Sequence, residues 1–590
     1  MTIDAISDHL TPDDARRAAS LLLLRDSERG LEVLMLQRAD RDGDMRSGVA
    51  VFPGGVLDPR DSDAQPHCLG PDDAQASATL RLPRGGLDYL VAAVRETFEE
   101  VGLLLAADAN VLADVHAAAG VAAEVAAAAA PDPQTLSEWR RRLQEGSAGI
   151  ADACAGLGLQ LDLRGLVYFS HWLTPPGLPK RFDTRFFAAA APPGQIAEAD
   201  GAEALHTMWV TPAAALDRSS GLKLLPVTRE TLTDLGRYAD TDSALAAVRT
   251  RAAMPDGVVL TMPRRATGAR GPRVVLPHEL PYAEIGRLDP DGHGEIAADL
   301  VAGRAVRLSS RIVRVTAPNP GPMTGPGTNT YLVRGDAGWT VIDPGPVSDP
   351  HLQALLAFVG GESTHPGGSS APISQILVTH THRDHSPGAA ALAAVTGAPV
   401  YGRRATHPQW QDDSFAPARE LQHGERLRLS ADTTLRVLHT PGHASNHLCF
   451  LLQEERTLIT GDHVMQGSTV VINPPDGDMV AYLQSLHELD QSLEIEWLAP
   501  GHGFLVDRPH RVLRGLIAHR LRREAKVLTA LRKLGSAAPV EVGPLLVQVY
   551  DDVAPALHPV AERSLLAHLL KLQHDGAVVQ TGGGWRATGA

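Results

Sequence analysis

The sequence predicts a multidomain protein of α/β and α+β class, on three observations. Its 590 residues exceed what one hydrophobic core usually serves, and with 44% hydrophobic residues two or three packed domains are expected. After residue 305, short β runs (RIVRVTAP, NTYLVRG, GWTVIDPG, ISQILVTH, TLRVLHTPGH, TLITGD, EWLAPGHG) alternate with helical patterns such as PHLQALLAFV and SPGAAALAAVTG. The ends of those runs coincide with His and Asp clusters, which is where α/β proteins usually place their sites.

Taken in order, residues 1–240 carry the strand-like runs ASLLLLRD and LEVLMLQR, a glycine turn, a helix and further strands ending near WVTPAAAL. Within them the alanine-rich stretch 106–160 favours helix and is read as an insertion without chemistry. Pro, Gly and Arg recur over 241–304 without periodicity, which predicts a linker. Residues 305–524 form the α/β part. Residues 525–590 read as helices (KVLTALRKL, ERSLLAHLLKLQHDG) followed by a β-hairpin at AVVQTGGGWRAT, a small winged-helix-like module.

A formal charge of −15 argues against a general nucleic-acid coat protein, because phosphate binding is dominated by Lys and Arg. The run RVLRGLIAHRLRREAK, with Arg511, Arg514, Arg520, Arg522 and Arg523, could still line a local groove, or form a solvated helix face paired with nearby acids. The acidic, polar start and the lack of an apolar stretch of spanning length predict a cytoplasmic protein without a membrane partner. Cys68, Cys154 and Cys449 are too few and scattered for a thiolate cage, so metal binding must rest on His and carboxylates.

Those residues stand in a pattern. His380, His382, Asp384 and His385 follow the apolar run Ile376 to Val378, and packing them together without a cation would leave imidazoles competing for hydrogen bonds. His443 in HTPGH, Asp462 in LITGD and His502 in APGHG each end an apolar strand beside glycine, which lets the backbone turn at the sheet edge. His380, His382 and His443 can hold one zinc and Asp384, His385 and His502 a second, with Asp462 bridging and Asp384 also counted as catalytic. A water shared by two such ions loses its proton near neutral pH and can attack without a protein base. His439, His447 and His463 adjoin these ligands and could orient them.

A second cluster lies at Arg95-Glu96-Thr97-Phe98-Glu99-Glu100-Val101-Gly102. On a helix Glu96, Glu99 and Glu100 share one face, a costly arrangement unless a cation neutralises it. Mg²⁺ or Mn²⁺ suits such an oxygen cluster and would also take a diphosphate; a solvated acidic turn is the plainer alternative.

Residues 305–530 resemble the metallo-β-lactamase superfamily, which implies an αββα sandwich with zinc at one sheet edge. APNPGPMTGPGTNTYLV (317–333), VIDPG (341–345), HTPGHASNH, ITGDHV, APGHG and AHRLRREAKVL (518–528) resemble its beta-lactamase-like protein 2 subgroup, which also ends in a winged-helix-like tail and whose animal members cleave single-stranded RNA. Glyoxalase II thioesterases of the wider superfamily share nearly the same ligand set.

Similarly, FPGGVLD (52–58) with R-E-x-x-E-E-x-G resembles the Nudix box of diphosphate hydrolases, implying an N-terminal α/β/α Nudix fold. HWLTPPGLPKRFDTRFF (171–187), Glu203 before Trp209, and Arg38 and Gly48 of the coenzyme A motif resemble the coenzyme A diphosphatase branch, although Arg46 falls out of place. The resemblance implies Glu99 and Glu100 as metal ligands, Glu96 as ligand or base, and Glu203 as an outer carboxylate. Three departures stand out: about thirty residues separate Gly55 from the helix, Leu87 beside Asp88 replaces the upstream Glu, and Thr97 replaces an aliphatic residue.

The expected function is thus a metal-dependent hydrolase of an ester, thioester or phosphodiester fused to a Nudix-type diphosphate hydrolase, the substrate being a small molecule such as an acyl thioester or nucleoside diphosphate derivative. The alternative is a single-stranded RNA endoribonuclease whose Nudix half senses a nucleotide or coenzyme A without catalysis.

Overall fold

The computed structural model describes residues 12, 14–38, 48–108, 132–199, 201, 204–254, 257–361, 372–409, 411–535 and 538–588. The chain forms two compact units, residues 1–265 with 291–293, and residues 266–290 with 294–590.

In the first unit, β1 (Ala15–Ser27) and β2 (Gly30–Arg38) form an antiparallel hairpin whose leucine run is buried on both faces, so it reads as continuous apolar sequence rather than alternation. Strands β3 (Val49–Val51) and β4 (Gly54–Val56) pair with β2 and β1 respectively. Helix α1 (Asp73–Thr79) packs on α2 (Gly86–Val101), which lays Leu90, Val91, Val94 and Phe98 against the sheet and ends at Gly102 in the left-handed conformation. Strands β5 (Val167–Leu173) and β6 (Arg181–Ala190) complete the centre, β6 running parallel to β1. The described part of the alanine-rich insertion is anchored: Arg140 Nε and Gln144 Nε2 both donate to the Glu99 carbonyl at 2.9 and 2.6 Å.

Residues 241–304, expected as a linker, are built into both units. Helix α3 (Thr241–Ala252) buries Ala244 and Val248 in the first unit's core, and Leu260–Thr261 pairs in parallel with β5. In the second unit, α4 (Tyr282–Leu288) presents Glu284 to Arg314 at 2.6 and 2.9 Å, both side chains 2% exposed. A seven-residue helix that buries Glu284 beside Tyr282 and Ile285 offers too few apolar positions for a period to be read.

The second unit stacks two sheets. One contains β7 (Ile312–Thr316), β8 (Asn329–Gly335), β9 (Gly338–Ile342) and β10 (Ile373–Leu377); the other contains β11 (Thr433–His439), β12 (Leu448–Leu452), β13 (Thr457–Gly461) and β14 (Trp497–Pro500). Tyr331, Val333, Ile342 and Leu377 meet Val437, Phe450 and Ile459 between them. Helices Asp349–Gly361 and Gly388–Thr396 cover the first sheet, while α5 (Met479–Ser492) and α6 (Pro509–Leu534) cover the second. This is the αββα order. Helix α6 runs unbroken through the expected boundary at 524 and enters the tail, where α7 (Val542–Val549), α8 (His558–His574) and the hairpin β15 (Val578–Thr581) and β16 (Gly584–Ala587) close over Trp585.

Candidate metal centres

In the second unit the seven ligand candidates converge. Two clusters form, His380 with His382 and His443, and Asp384 with His385, Asp462 and His502, each with ligand atoms within 4.8 Å of one another. His380 follows the end of β10, Asp462 the end of β13 and His502 the end of β14, so the sheet edges bring together residues far apart in sequence.

The hydrogen bonds select which nitrogen faces inward. His385 Nδ1 donates to Asp343 Oδ2 at 2.9 Å, His443 Nδ1 to the Val471 carbonyl at 2.8 Å, and His502 Nδ1 to the Gly327 carbonyl at 3.2 Å. Thr379 Oγ1 donates to Asp343 Oδ2 at 2.6 Å and accepts from His380 Nδ1 at 3.0 Å. All four rings therefore turn Nε2 to the centre.

Whether a divalent ion fits is tested by what these atoms lack. Nε2 of His380, His385 and His502 and Oδ1 of Asp462 are buried with no hydrogen-bond partner. His385 Nε2 lies 3.3 Å from Asp462 Oδ1 and 3.5 Å from Asp384 Oδ2, and His502 Nε2 lies 3.4 Å from each carboxylate. A tetrahedron with zinc-ligand arms of about 2.0–2.2 Å has edges of about 3.3–3.6 Å, so the spacing matches. The other Asp462 oxygen, Oδ2, is 3.8 Å from His443 Nε2 and thus faces the cluster of His380, His382 and His443. The donor set fits a pair of ions.

Electrostatics point the same way. Burial drives His380 well below its ordinary value and His382 down to about 3. Burial also opposes charge on His385 and His502, but Asp462 and Asp384 outweigh it, lifting His385 well up and His502 to about 9. A cation at this point would take over that neutralisation.

The neighbouring histidines sit one layer out. His447 Nε2 accepts from the Asp462 backbone N–H at 3.2 Å, His439 Nε2 donates to the Ser445 carbonyl at 2.9 Å, and His463 packs on Tyr482. Asn329 Nδ2 donates to the Pro500 and Gly503 carbonyls at 3.1 and 2.8 Å, holding the turn that carries His502. Asp343, which receives both His385 and Thr379, was not among the sequence candidates; its signal was the VIDPG motif at the end of β9.

In the first unit, Glu96 and Glu99 share one guanidinium, lying 2.9 and 3.3 Å from Arg95 Nη1. Burial pushes Glu96 up to about 7 and Glu99 above the usual carboxylate range, so a second cation would be accommodated. Glu100 instead accepts from the Gly54 N–H at 2.8 Å. Glu203 lies outside the described residues. Asp61, which was not a sequence candidate, brings a further buried carboxylate to this cluster, 2.6 and 3.2 Å from Arg95. Asp61 is the sixth residue after Gly55, a spacing the long interruption hid. Thr97 is fully buried and donates to the Ala93 carbonyl at 2.7 Å, which satisfies its hydroxyl where an aliphatic side chain would otherwise sit.

Part of the arginine run is used within the chain. Arg514 pairs with Asp490, Arg523 with Asp552 and Lys526 with Asp551, and Arg520 is buried. Arg511 and Arg522 remain exposed.

An αββα sandwich gathering His and Asp at one sheet edge defines a metallohydrolase, and comparison with known proteins places it. The metallo-beta-lactamase superfamily model matches residues 323–502, the NUDT19 Nudix domain model residues 65–225, and the beta-lactamase associated winged helix domain model residues 545–585. The chain is 34% identical over 227 residues to an atrochrysone carboxyl ACP thioesterase of Aspergillus fumigatus, covering 38% of this chain and 67% of the relative. It is 29% identical over 280 residues to a beta-lactamase-like protein 2 homolog of Caenorhabditis elegans, covering 46% and 87%. A crystal structure of a NUDIX hydrolase from Alicyclobacillus acidocaldarius aligns at TM-score 0.32 and 26% identity over 40% of this chain and 97% of that one. The chain belongs to the metallo-β-lactamase superfamily and carries a NUDT19-type Nudix domain and a winged-helix tail. It is an enzyme, a hydrolase. Among the described residues no helix is long and apolar enough to cross a membrane.

Proposed function

We propose that the second unit hydrolyses an acyl thioester at a two-zinc centre and that the Nudix domain hydrolyses the diphosphate of a coenzyme A-type molecule, so that both halves act on one class of metabolite. The observation that carries the metal part is the set of inward, partnerless Nε2 and carboxylate atoms at tetrahedral spacing. The thioester part is supported by the thioesterases among the relatives, and a small-molecule substrate by the internal pairing of the basic run.

His380, His382 and His443 would hold one ion and Asp384, His385 and His502 the other, with Asp462 between them. Bound there, the ions would supply Lewis acidity toward the thioester carbonyl and a water ionised near neutral pH. The chain's residues do the rest. Asp343 and the carbonyls of Val471 and Gly327 fix the imidazoles, and Asp384, at 29% the more exposed of the two carboxylates, would be the group that takes up a proton during turnover. In the Nudix domain, Glu99 and Glu100 would hold Mg²⁺ or Mn²⁺ with Glu203 outermost, and Glu96, near 7, would serve as base.

The test is thiol release from acyl-coenzyme A by the purified full chain with zinc, beside diphosphate cleavage with Mg²⁺. Asp462→Ala should abolish thiol release alone, and Glu99→Gln with Glu100→Gln diphosphate cleavage alone. No turnover of any acyl-coenzyme A, together with cutting of single-stranded RNA, would overturn the reading.

A further inference from the structure

The AHRLRREAKVL motif on α6 faces two ways. Arg520 is 3% exposed, its Nη2 donates to the Val470 carbonyl, and its guanidinium lies 5.4 Å from the centre of the Tyr482 ring. The next carbonyl, Val471 O, is the one that receives His443 Nδ1 at 2.8 Å. Tyr482 packs against the residue before that histidine: a Cβ on Gly442 would lie 2.4 Å from the Tyr482 Cα, and the Tyr482 hydroxyl donates to the His463 carbonyl at 3.1 Å. Farther along the motif, Arg523 Nη1 donates to the Val549 carbonyl at 2.6 Å and to Asp552 at 2.7 Å, and Glu524 takes Lys571 Nζ at 2.9 Å, all in the tail.

Among the described residues no carboxylate pairs with Arg520, so the fold keeps a buried cation whose cost an apolar side chain would avoid. What the guanidinium offers is planar donors aimed at a backbone carbonyl. We propose that Arg520 is a positioning residue for the metal centre. By clamping the Val470 carbonyl it fixes the Val471 carbonyl, which holds His443 in the tautomer that turns Nε2 toward His380 and His382. Because Arg523 and Glu524 tie the same helix to α7 and α8, the tail is part of the frame of that half of the centre.

The inference rests on the metal reading above, and its test separates the two. Arg520→Gln and Arg520→Lys are made in the full chain. Folding is checked by circular dichroism, zinc affinity is measured by chelator competition, and the His443 imidazole is followed by ¹⁵N NMR in the metal-free protein. Arg520→Gln should weaken zinc binding about tenfold, in the range for outer partners of metal ligands, and move His443 off the Nδ1–H tautomer. Arg520→Lys, which keeps a donor toward the carbonyl, should recover part of both effects. A folded Arg520→Gln protein with wild-type zinc affinity and unchanged His443 signals would overturn the proposal. If Arg520→Gln does not fold, Arg520→Met, which keeps the length of the side chain without a donor, takes its place, and wild-type zinc affinity with unchanged His443 signals in that variant overturns the proposal. A wild-type chain that takes no zinc, while His443 still responds to Arg520→Gln, would overturn the metal reading and leave the positioning role standing.

Discussion

Asp343 Oδ2 lies 2.9 Å from His385 Nδ1 and takes the Thr379 hydroxyl at 2.6 Å, so one buried carboxylate orients a ligand from each metal cluster, directly for His385 and through Thr379 for His380. Asp343→Ala would leave both donors buried without an acceptor and both rings free to turn. The expected outcome is a 10- to 100-fold loss of zinc affinity, about what removal of such a partner costs elsewhere, read as zinc retained after dialysis against a chelator. Asp343→Asn, which keeps an acceptor oxygen, should lose less. Equal zinc retention in Asp343→Ala and wild type would refute the role.

The candidate metal centre was legible because the residues that could hold the ions sit at strand ends, where an apolar run stops at His or Asp beside glycine, and local sequence records that pattern. Asp343 has the same placement after β9 but no neighbouring His, and the VIDPG motif was the mark that it carried. The two-sheet core was likewise legible from its Val, Ile and Leu runs. What sequence could not supply was pairing at a distance. Asp61 reaches Arg95 across 34 positions, and Glu284 reaches Arg314 from a segment that looks like a linker. Charged residues that bury themselves in pairs erase the periodicity by which buried elements are read. The basic run on α6 shows the converse, since only the folded chain reveals which arginines are occupied.

Asp61 and Arg95 are 1% and 8% exposed, and removing Asp61 leaves the Arg95 Nε without its acceptor while Glu96, Glu99 and the Val56 carbonyl still hold the rest of the guanidinium. Asp61→Ala should therefore destabilise the first unit by about 1–3 kcal/mol, measured by denaturant unfolding, and lower diphosphate cleavage by releasing Arg95 toward Glu96 and Glu99. Asp61→Glu should restore part of the stability. A change below about 1 kcal/mol would show that water replaces the partner and that the pair does not hold the helix.

Gly55 offers a cleaner separation of chemistry from stability. A Cβ placed there would lie 2.4 Å from the Glu96 carboxylate, whose flexible end can move aside. Gly55→Ala should accordingly cost little folding energy while displacing Glu96, so that diphosphate cleavage falls by about two orders of magnitude, the size of a misplaced acid-base group. Thiol release at the other centre should not change. Steady-state assays of both reactions on one preparation provide the comparison, and undiminished diphosphate cleavage would remove Glu96 from the mechanism.

His351 sets a pH dependence in the second unit. Thr330 Oγ1 donates to the Asp343 carbonyl at 2.7 Å, so its oxygen accepts from His351 Nε2 at 2.7 Å, and His351 Nδ1 is buried with no partner. A second proton on this ring would be buried unpaired, and burial accordingly lowers His351 to about 4 from 6.5. The unfolded chain takes up that proton below pH 6.5, whereas the folded chain resists it until pH falls to about 4. Stability is therefore unaffected above pH 6.5 and is lost as pH falls between these values, by up to about 3 kcal/mol from this residue. His351→Gln cannot take up the proton and should flatten the dependence of unfolding free energy on pH between 6.5 and 4 by close to one proton, measured on metal-free protein by urea denaturation. An unchanged slope would mean that the ring already titrates freely in the folded state, at odds with its sealed position beneath Thr330.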